Sequence, residues 1–438
     1  MADKKALSVK LFRNDREALF VERPNRFLII AGDEKPKAVP AGSSPAKAAP
    51  ARIPCHCPNP GRLIEFFGYR GSDIPGARLI LEKRDAGAKA KTGWTAVGIY
   101  YRTGVAPLFS ARANKAVEEL ALREIIPGIT EVRGEFTLGD SRFDFLCVDR
   151  EGIRHLVEVK ACSLVEYGAA MFPDAPSERA LKHLEELAVL CAQGYRCHVL
   201  FVIVHGEPER FIPNLHTDPQ FAAALSVHGH GAELPKTGNV PKAAGRKKAA
   251  DSGKGKGGPV AIHACLLRCD NRGTAYLARP RVPVDLSHGA LAAGNGGSYM
   301  LMLEIPQARD TVIGALGTLH FDAGWYIYAG SARKNLSKRI SRHLRHVRKT
   351  RRWHIDYLGA LAERIKAYPI LSYRNLECDL ASALEDLGGR GVPRFGSSDC
   401  RCKSHLFYFR DPPLKNPAFI DLLLRFRHVE AFKKLIEN

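Results

Sequence analysis

The sequence predicts an α+β chain of several domains: a small β-barrel, an α/β core with a mixed sheet, and a further small α/β module. Short apolar strands broken by glycines fill residues 8–105, and the next stretch runs helix, strand, strand, helix, strand. A third globular region opens near Gly297. At 438 residues and 45% hydrophobic content, the chain is too long for one ordinary core.

Taken in order, Arg26–Ile30, Arg78–Glu82 and Ala96–Tyr101 read as the barrel strands. Residues 33–51 inside the barrel are Pro-, Ala- and Lys-rich, too poor in apolar surface to offset their ordering entropy, and read as a mobile insertion. Residues 114–125 have helical apolar spacing; strands follow over 141–148 and 153–161, then a helix near 177–192. Cys197–Val204 is apolar throughout, as a strand buried on both faces requires. This second domain covers 106–286. It is interrupted by residues 235–259, where seven Lys or Arg stand against one Asp; that stretch reads as a mobile solvated segment or a basic arm along phosphates. The third module spans 295–412. A closing helix over 413–438 aligns Leu422, Phe426, Val429, Phe432 and Ile436 as a packing stripe.

A net charge of +20 and a pI near 9.6 favour a polyanionic partner, nucleic acid or an acidic membrane surface. No run of about eighteen apolar residues exists and Met1–Lys5 lacks an apolar signal core, so the expectation is a cytoplasmic protein without a membrane role. Eleven cysteines, an odd and scattered count, argue against a disulfide framework. Two clusters, Cys55-His56-Cys57 and Cys400-Arg401-Cys402 with His405, have ligand chemistry. C-x-C is not the C-x-x-C knuckle, however, and both are read as structural thiols.

The chemistry concentrates at Asp144, near the end of one strand, and Glu158-Val159-Lys160 on the next, with thirteen residues between the carboxylates. Alternation puts Glu158 and Lys160 on one face, with Phe143 and Phe145 together on another. A hairpin loop of three or five residues sets Asp144 across from Glu158; an even loop sets them on opposite faces. Two facing carboxylates repel unless a cation lies between them, and Mg²⁺ (or Mn²⁺) suits hard oxygen ligands. Lys160 is then placed to orient a water and neutralise charge, and Glu119, on the preceding helix, is taken as an outer metal ligand.

Four ordered motifs carry a resemblance. The segment HCPNPGRL at 56–63, SRFDF at 141–145, EVKACSL at 158–164 and MFPDAPSERALKHLEEL at 171–187 resemble the sugar fermentation stimulation protein A family across residues 8–286. The last motif departs from the family pattern at Ser177 and Ala180. The resemblance implies an OB-like nucleic-acid-binding barrel and a PD-(D/E)xK nuclease-like domain whose catalytic positions fall on Asp144, Glu158 and Lys160. Asn59 and Arg62 are candidates for phosphate contact, as are Arg179 and Lys182, which share a helical turn with His183.

Tyr299, then Tyr328-Ala329-Gly330, then Arg339 nine residues on resemble the GIY-YIG nuclease pattern, with the tyrosines 29 positions apart. Carried over by position, the catalytic set is Tyr299, Tyr328, Arg339 and Glu377. YIYAGSA at 326–332, WHIDYL at 353–358 and FGSSDCRCKSHLF at 395–407 are similar to an uncharacterised group of such domains, DUF123. Residues 333–352 are rich in Lys and Arg, and Arg342, His343 and Arg345 are the candidates there for nucleic-acid contact. Trp353 and Tyr357 flank the strip; core packing is the expectation for Trp353. The expected function is divalent-metal-dependent hydrolysis of DNA or RNA phosphodiester bonds. The alternative is a non-catalytic DNA-binding regulator of sugar metabolism genes.

Overall fold

The computed structural model describes residues 7–33, 52–67, 77–85, 91–101, 104–109, 112–139, 141–230, 258–345 and 351–428. The two expected insertions, 33–51 and 235–259, lie almost wholly outside these. The chain divides into two compact units, Met1–Ser287 and His288–Asn438.

In the first unit, β1 (Arg16–Asn25), β2 (Leu28–Gly32), β3 (Ile53–His56), β4 (Arg78–Lys83) and β5 (Trp94–Tyr101) build the barrel. Pairing runs β3–β2–β1–β4–β5, and the parallel pairs Cys55–Trp94 and His56–Thr95 close β3 onto β5. Closure leaves no free sheet edge. Phe20, Ile29, Leu79, Leu81 and Ile99 fill the interior with Cys55 and Cys57, so these two thiols are packing residues.

Next come β6 (Gly104–Pro107), α1 (Arg112–Ala116, continued by a π-helical turn at Val117–Ala121), β7 (Ile129–Leu138), β8 (Ser141–Asp149) and β9 (Arg154–Cys162). They are followed by α2 (Glu178–Ala192), β10 (Arg196–Ile203), α3 (Pro219–His228), β11 (Val260–Cys269) and β12 (Thr274–Arg279). The order β7–β8–β9–β10–β11 is antiparallel up to β9 and parallel beyond it, a mixed sheet. A pair at Cys269–Val105 joins β11 to β6, so barrel and mixed sheet are one continuous sheet. One face packs Val117 and Leu122 on Phe145, Val157, Val159 and Leu200. The other packs Leu184, Leu187, Phe221 and Leu225 on Phe143, Leu156 and Phe201. Helix α2 starts where its sequence stops competing: the Ser177 hydroxyl accepts from the Ala180 N–H at 3.2 Å as an N-cap.

The second unit holds β13 (Gly297–Ile305), β14 (Gly324–Ala332), α4 (Leu336–Leu344), α5 (His354–Gly359), β15 (Arg364–Leu371), α6 (Glu377–Asp386), β16 (Leu406–Phe409) and α7 (Pro417–His428). Its sheet runs β15–β13–β14–β16, antiparallel at each of these pairings. An inserted hairpin, Arg309–Val312 with Thr318–Phe321, takes up the long separation between the two tyrosine motifs. Leu380, Leu384, Leu422 and Phe426 pack on Met300, Ile327 and Ile370. Leu422 and Phe426 therefore use the expected stripe; Val429, Phe432 and Ile436 lie outside the described residues. No helix among the described residues is long and apolar enough to cross a membrane.

Candidate functional site

The β8–β9 ladder runs Val148–Arg154, His155–Cys147, Leu156–Leu146, Val157–Phe145. Five residues, 149–153, separate Val148 from Arg154, and the same register continued sets Asp144 against Glu158. Asp149 shapes this loop: its Oδ1 accepts from the N–H groups of Glu151 and Ile153, each at 2.9 Å, and Gly152 takes a positive φ. Beyond Phe145 the strands part. Asp144 Oδ2 accepts from the Val159 N–H at 2.7 Å, so a side chain stands in for a ladder carbonyl. The parting also corrects the expected alternation, because Phe143 and Phe145 end in different cores.

Glu158 is 4% exposed. Its Oε1 receives Lys160 Nζ at 2.5 Å and His183 Nδ1 at 2.6 Å, while its buried Oε2 has no hydrogen-bond partner among the described residues. Asp144 Oδ1 accepts from Asn114 Nδ2 at 2.6 Å. Burial and then the charge of Glu158 push the Asp144 carboxyl up. Burial raises Glu158 as well, but the bonds from His183 and Lys160 outweigh it and hold the carboxyl below its ordinary value. One carboxylate is thus fixed as an anion, and its neighbour is destabilised by it. Two hard oxygen donors with an orphaned buried lone pair are the donor set that fits Mg²⁺ or a similar cation.

Other expected residues separate by position. Glu119 is exposed and has no polar partner among the described residues; α1 presents Asn114 to the site instead, and Glu119 is not brought to the carboxylates. On α2, Arg179 and Lys182 face solvent, Lys182 pairing with Glu186 at 3.6 Å, and only His183 turns inward. Asn59 is a turn residue rather than a phosphate contact. It is buried, and its Oδ1 accepts from the Gly61 N–H at 2.9 Å. Arg23 donates to the carbonyls of Asn59, Gly61 and Arg62, and Asp174 Oδ2 accepts from the Leu63 N–H at 3.2 Å. This turn from the barrel is docked on the segment that leads into α2, leaving Arg62 exposed.

Sequence reasoning missed Asn114 and a polar ladder across four strands, β8 to β11. Asp149 Oδ2 meets His155 Nε2 at 3.1 Å; His155 Nδ1 meets His198 Nε2, and His198 Nδ1 meets His263 Nε2, each at 3.0 Å. Each of three adjacent strands contributes one histidine, set two positions off the register of the next, so the ladder becomes visible only once the pairing is known.

In the second unit the register sets Tyr299 beside Gly330, where a Cβ would stand 2.5 Å from the phenol ring. Tyr299 and Tyr328 have ring centroids 6.4 Å apart. Arg339 donates to the Ser331 carbonyl at 2.7 Å, and the Ser331 hydroxyl donates to Glu377 Oε2 at 2.5 Å. The four expected residues therefore gather at the end of β14. Burial pushes both phenols well above the usual tyrosine range, and both sense Arg339 and Glu377. A cleft of about 480 Å³ opens beside Ser331, lined in part by Gly297, Arg333, Tyr373 and Arg374.

Two of the expected nucleic-acid contacts turn inward. Arg342 grips the buried Asp356 with both terminal nitrogens, at 3.2 and 2.7 Å, and His343 Nε2 meets the Tyr299 hydroxyl at 3.0 Å while only 3% exposed. His343 is therefore a packing residue, whereas Arg342 is ion-paired but stays partly exposed. Arg345 remains exposed. So does Trp353, at 37%, with Arg339 and Arg342 over its ring, contrary to the expected core placement.

Three family models match in chain order. They are the SfsA N-terminal OB domain over residues 21–106, the sugar fermentation stimulation protein RE domain over 111–234, and the domain of unknown function DUF123 over 298–427. A sugar fermentation stimulation protein homolog of Ruminiclostridium cellulolyticum is 32% identical over 225 residues, 51% of this chain and 89% of that protein. The chain belongs to the sugar fermentation stimulation protein (SfsA) family. A second SfsA homolog, from Clostridium botulinum, is 36% identical over 212 residues, 47% of this chain and 81% of that protein. The solved SfsA of Pyrococcus furiosus, in complex with Ca²⁺, is 24% identical with a TM-score of 0.46, covering 63% of this chain and 99% of that one. In this SfsA chain the DUF123 domain follows the SfsA match as the second unit.

Proposed function

We propose that this chain is a nucleic-acid-binding, divalent-metal-dependent phosphodiesterase acting on DNA or RNA, with the Asp144–Glu158–Lys160 site as its catalytic centre. The observation that carries the reading is the buried, unpartnered Oε2 of Glu158 beside a second carboxylate. Asp144 and Glu158 would hold Mg²⁺ or Mn²⁺, which supplies an acidified water and charge neutralisation at a phosphate. His183 fixes the rotamer of Glu158 through Oε1, leaving Oε2 for the ion. Lys160 carries its ammonium on the same carboxylate, where it can meet a negatively charged phosphate oxygen. The positive balance of the chain, with exposed Arg62, Arg179, Lys182 and Arg345, supports a polyanionic substrate.

The test is cleavage of labelled single- and double-stranded DNA and RNA with Mg²⁺ or Mn²⁺, comparing wild type with Glu158→Gln and Arg339→Ala. Glu158→Gln should lose at least about a hundredfold in rate while still binding. Binding without cutting by the wild type leaves the non-catalytic DNA-binding reading instead. Loss with Arg339→Ala alone moves the catalytic centre to the second unit.

A further inference from the structure

Four residues of the second unit belong to no step proposed above. Cys378 sits at the first turn of α6, and Cys400, Cys402 and His405 lie on the segment that leads into β16. One ligand atom from each, three Sγ and one imidazole nitrogen, fall within 4.8 Å of one another. Four donors on a tetrahedron about 2.0–2.3 Å from a zinc ion stand roughly 3.3–3.8 Å apart, so the set needs only a small contraction. The Cys400 Sγ to His405 Nε2 distance is already 3.3 Å.

The histidine is prepared as a ligand. Its Nδ1 meets Glu377 Oε1 at 3.1 Å, which holds the proton on Nδ1 and turns the Nε2 lone pair to the thiols. Its backbone is pinned from both sides: the His405 N–H donates to the Phe395 carbonyl at 2.8 Å, and its carbonyl accepts from Ala329 at 2.9 Å. His405 itself is 1% exposed. Residues 397–405, between Gly396 and β16, hold no strand or helix. A cross-link to α6 would supply order to that segment.

We infer that Cys378, Cys400, Cys402 and His405 form a structural zinc site that ties the start of α6 to the segment before β16. Three thiolates and an imidazole select a soft or borderline ion over Mg²⁺, and four protein ligands close the coordination sphere. Glu377 is then a positioning residue for His405, shared with Ser331, rather than a ligand of a catalytic metal. The site is separate from Asp144 and Glu158, so it stands or falls independently of the proposed hydrolysis.

The experiment is metal analysis of the full chain purified from zinc-supplemented medium, followed by cobalt titration of the chelator-stripped protein. About one zinc per chain is expected, retained by Asp144→Asn and lost in a Cys400→Ser, Cys402→Ser double variant. Cobalt should give the intense visible bands and thiolate charge-transfer absorption of a tetrahedral site. If the double variant does not fold, Glu377→Gln serves: its zinc should pass to a competing chelator about 10–100-fold more readily. A zinc-free wild type, a weak octahedral cobalt spectrum, or a disulfide among these cysteines in peptide mapping would each overturn the site.

Discussion

Asp144 and Glu158 are the same chemistry in opposite electrostatic states. Burial and the neighbouring anion raise the Asp144 carboxyl, so its protonated form is favoured in the folded chain. A raised pKa means that its stabilising contribution is present below the unfolded value and is lost as pH rises through the folded one. At neutral pH without metal, the Asp144 charge therefore costs stability. Asp144→Asn should raise the melting temperature of the chelator-treated protein at pH 7. A change of ~1 kcal/mol corresponds to about 2–4 °C in a unit of this size. Mg²⁺ should raise the wild-type midpoint and leave the variant unmoved; equal responses in thermal melts would sink the metal assignment. Which residue types lie here was legible from spacing, since strand alternation and loop parity are local. Asn114 was not, because it reaches the site only through helix packing on the sheet; His183 was legible as a turn-mate of Arg179 and Lys182, but only packing decided that it alone of the three meets Glu158.

At the scale of elements, the structure turns on two non-local contacts. The first is the docked turn at 59–63. A Cβ on Gly61 would lie 2.2 Å from the Asp174 carboxylate, which is anchored by the Leu63 N–H and has little room to move. Gly61→Ala should destabilise the first unit by about 1–3 kcal/mol, measured by denaturant unfolding; a neutral result would mean that the turn can undock freely. The second is the histidine ladder. Burial lowers His155 and His198, and takes His263 down to about 4. Unfolded histidines titrate near about 6.5, so between these values the unfolded chain binds more protons. Stability should be full above about pH 6.5 and decline as pH falls towards the folded values. His263→Gln, which keeps a hydrogen-bonding partner for His198 but does not titrate, should flatten that slope in melts taken across the range. The mixed sheet was legible in the apolar run Cys197–Val204, whereas β1 and β7 were missed. In those strands charged residues dilute the alternation, because an edge or barrel surface faces water.

At the scale of the whole chain, the two units have separate cores, one drawn from barrel and mixed sheet and one from the DUF123 match. Calorimetry of the full chain should resolve two transitions. Gly61→Ala should lower one, and Gly330→Ala, whose Cβ would enter the Tyr299 ring, the other; a single transition shifted by both would show one cooperative body. By itself the sequence determined the module order, the strands and helices that carry the carboxylates and their neighbours, the basic balance and the spacing of the carboxylate pair. All of these rest on composition or on periods of a few residues. Only the tertiary structure decided which side chains converge. Arg342, His343 and Asn59, polar and plausible on the surface, are committed to internal partners. Cys378 meets Cys400, Cys402 and His405 across more than twenty positions of chain. Such convergence depends on packing between elements, a relation that no local spacing encodes.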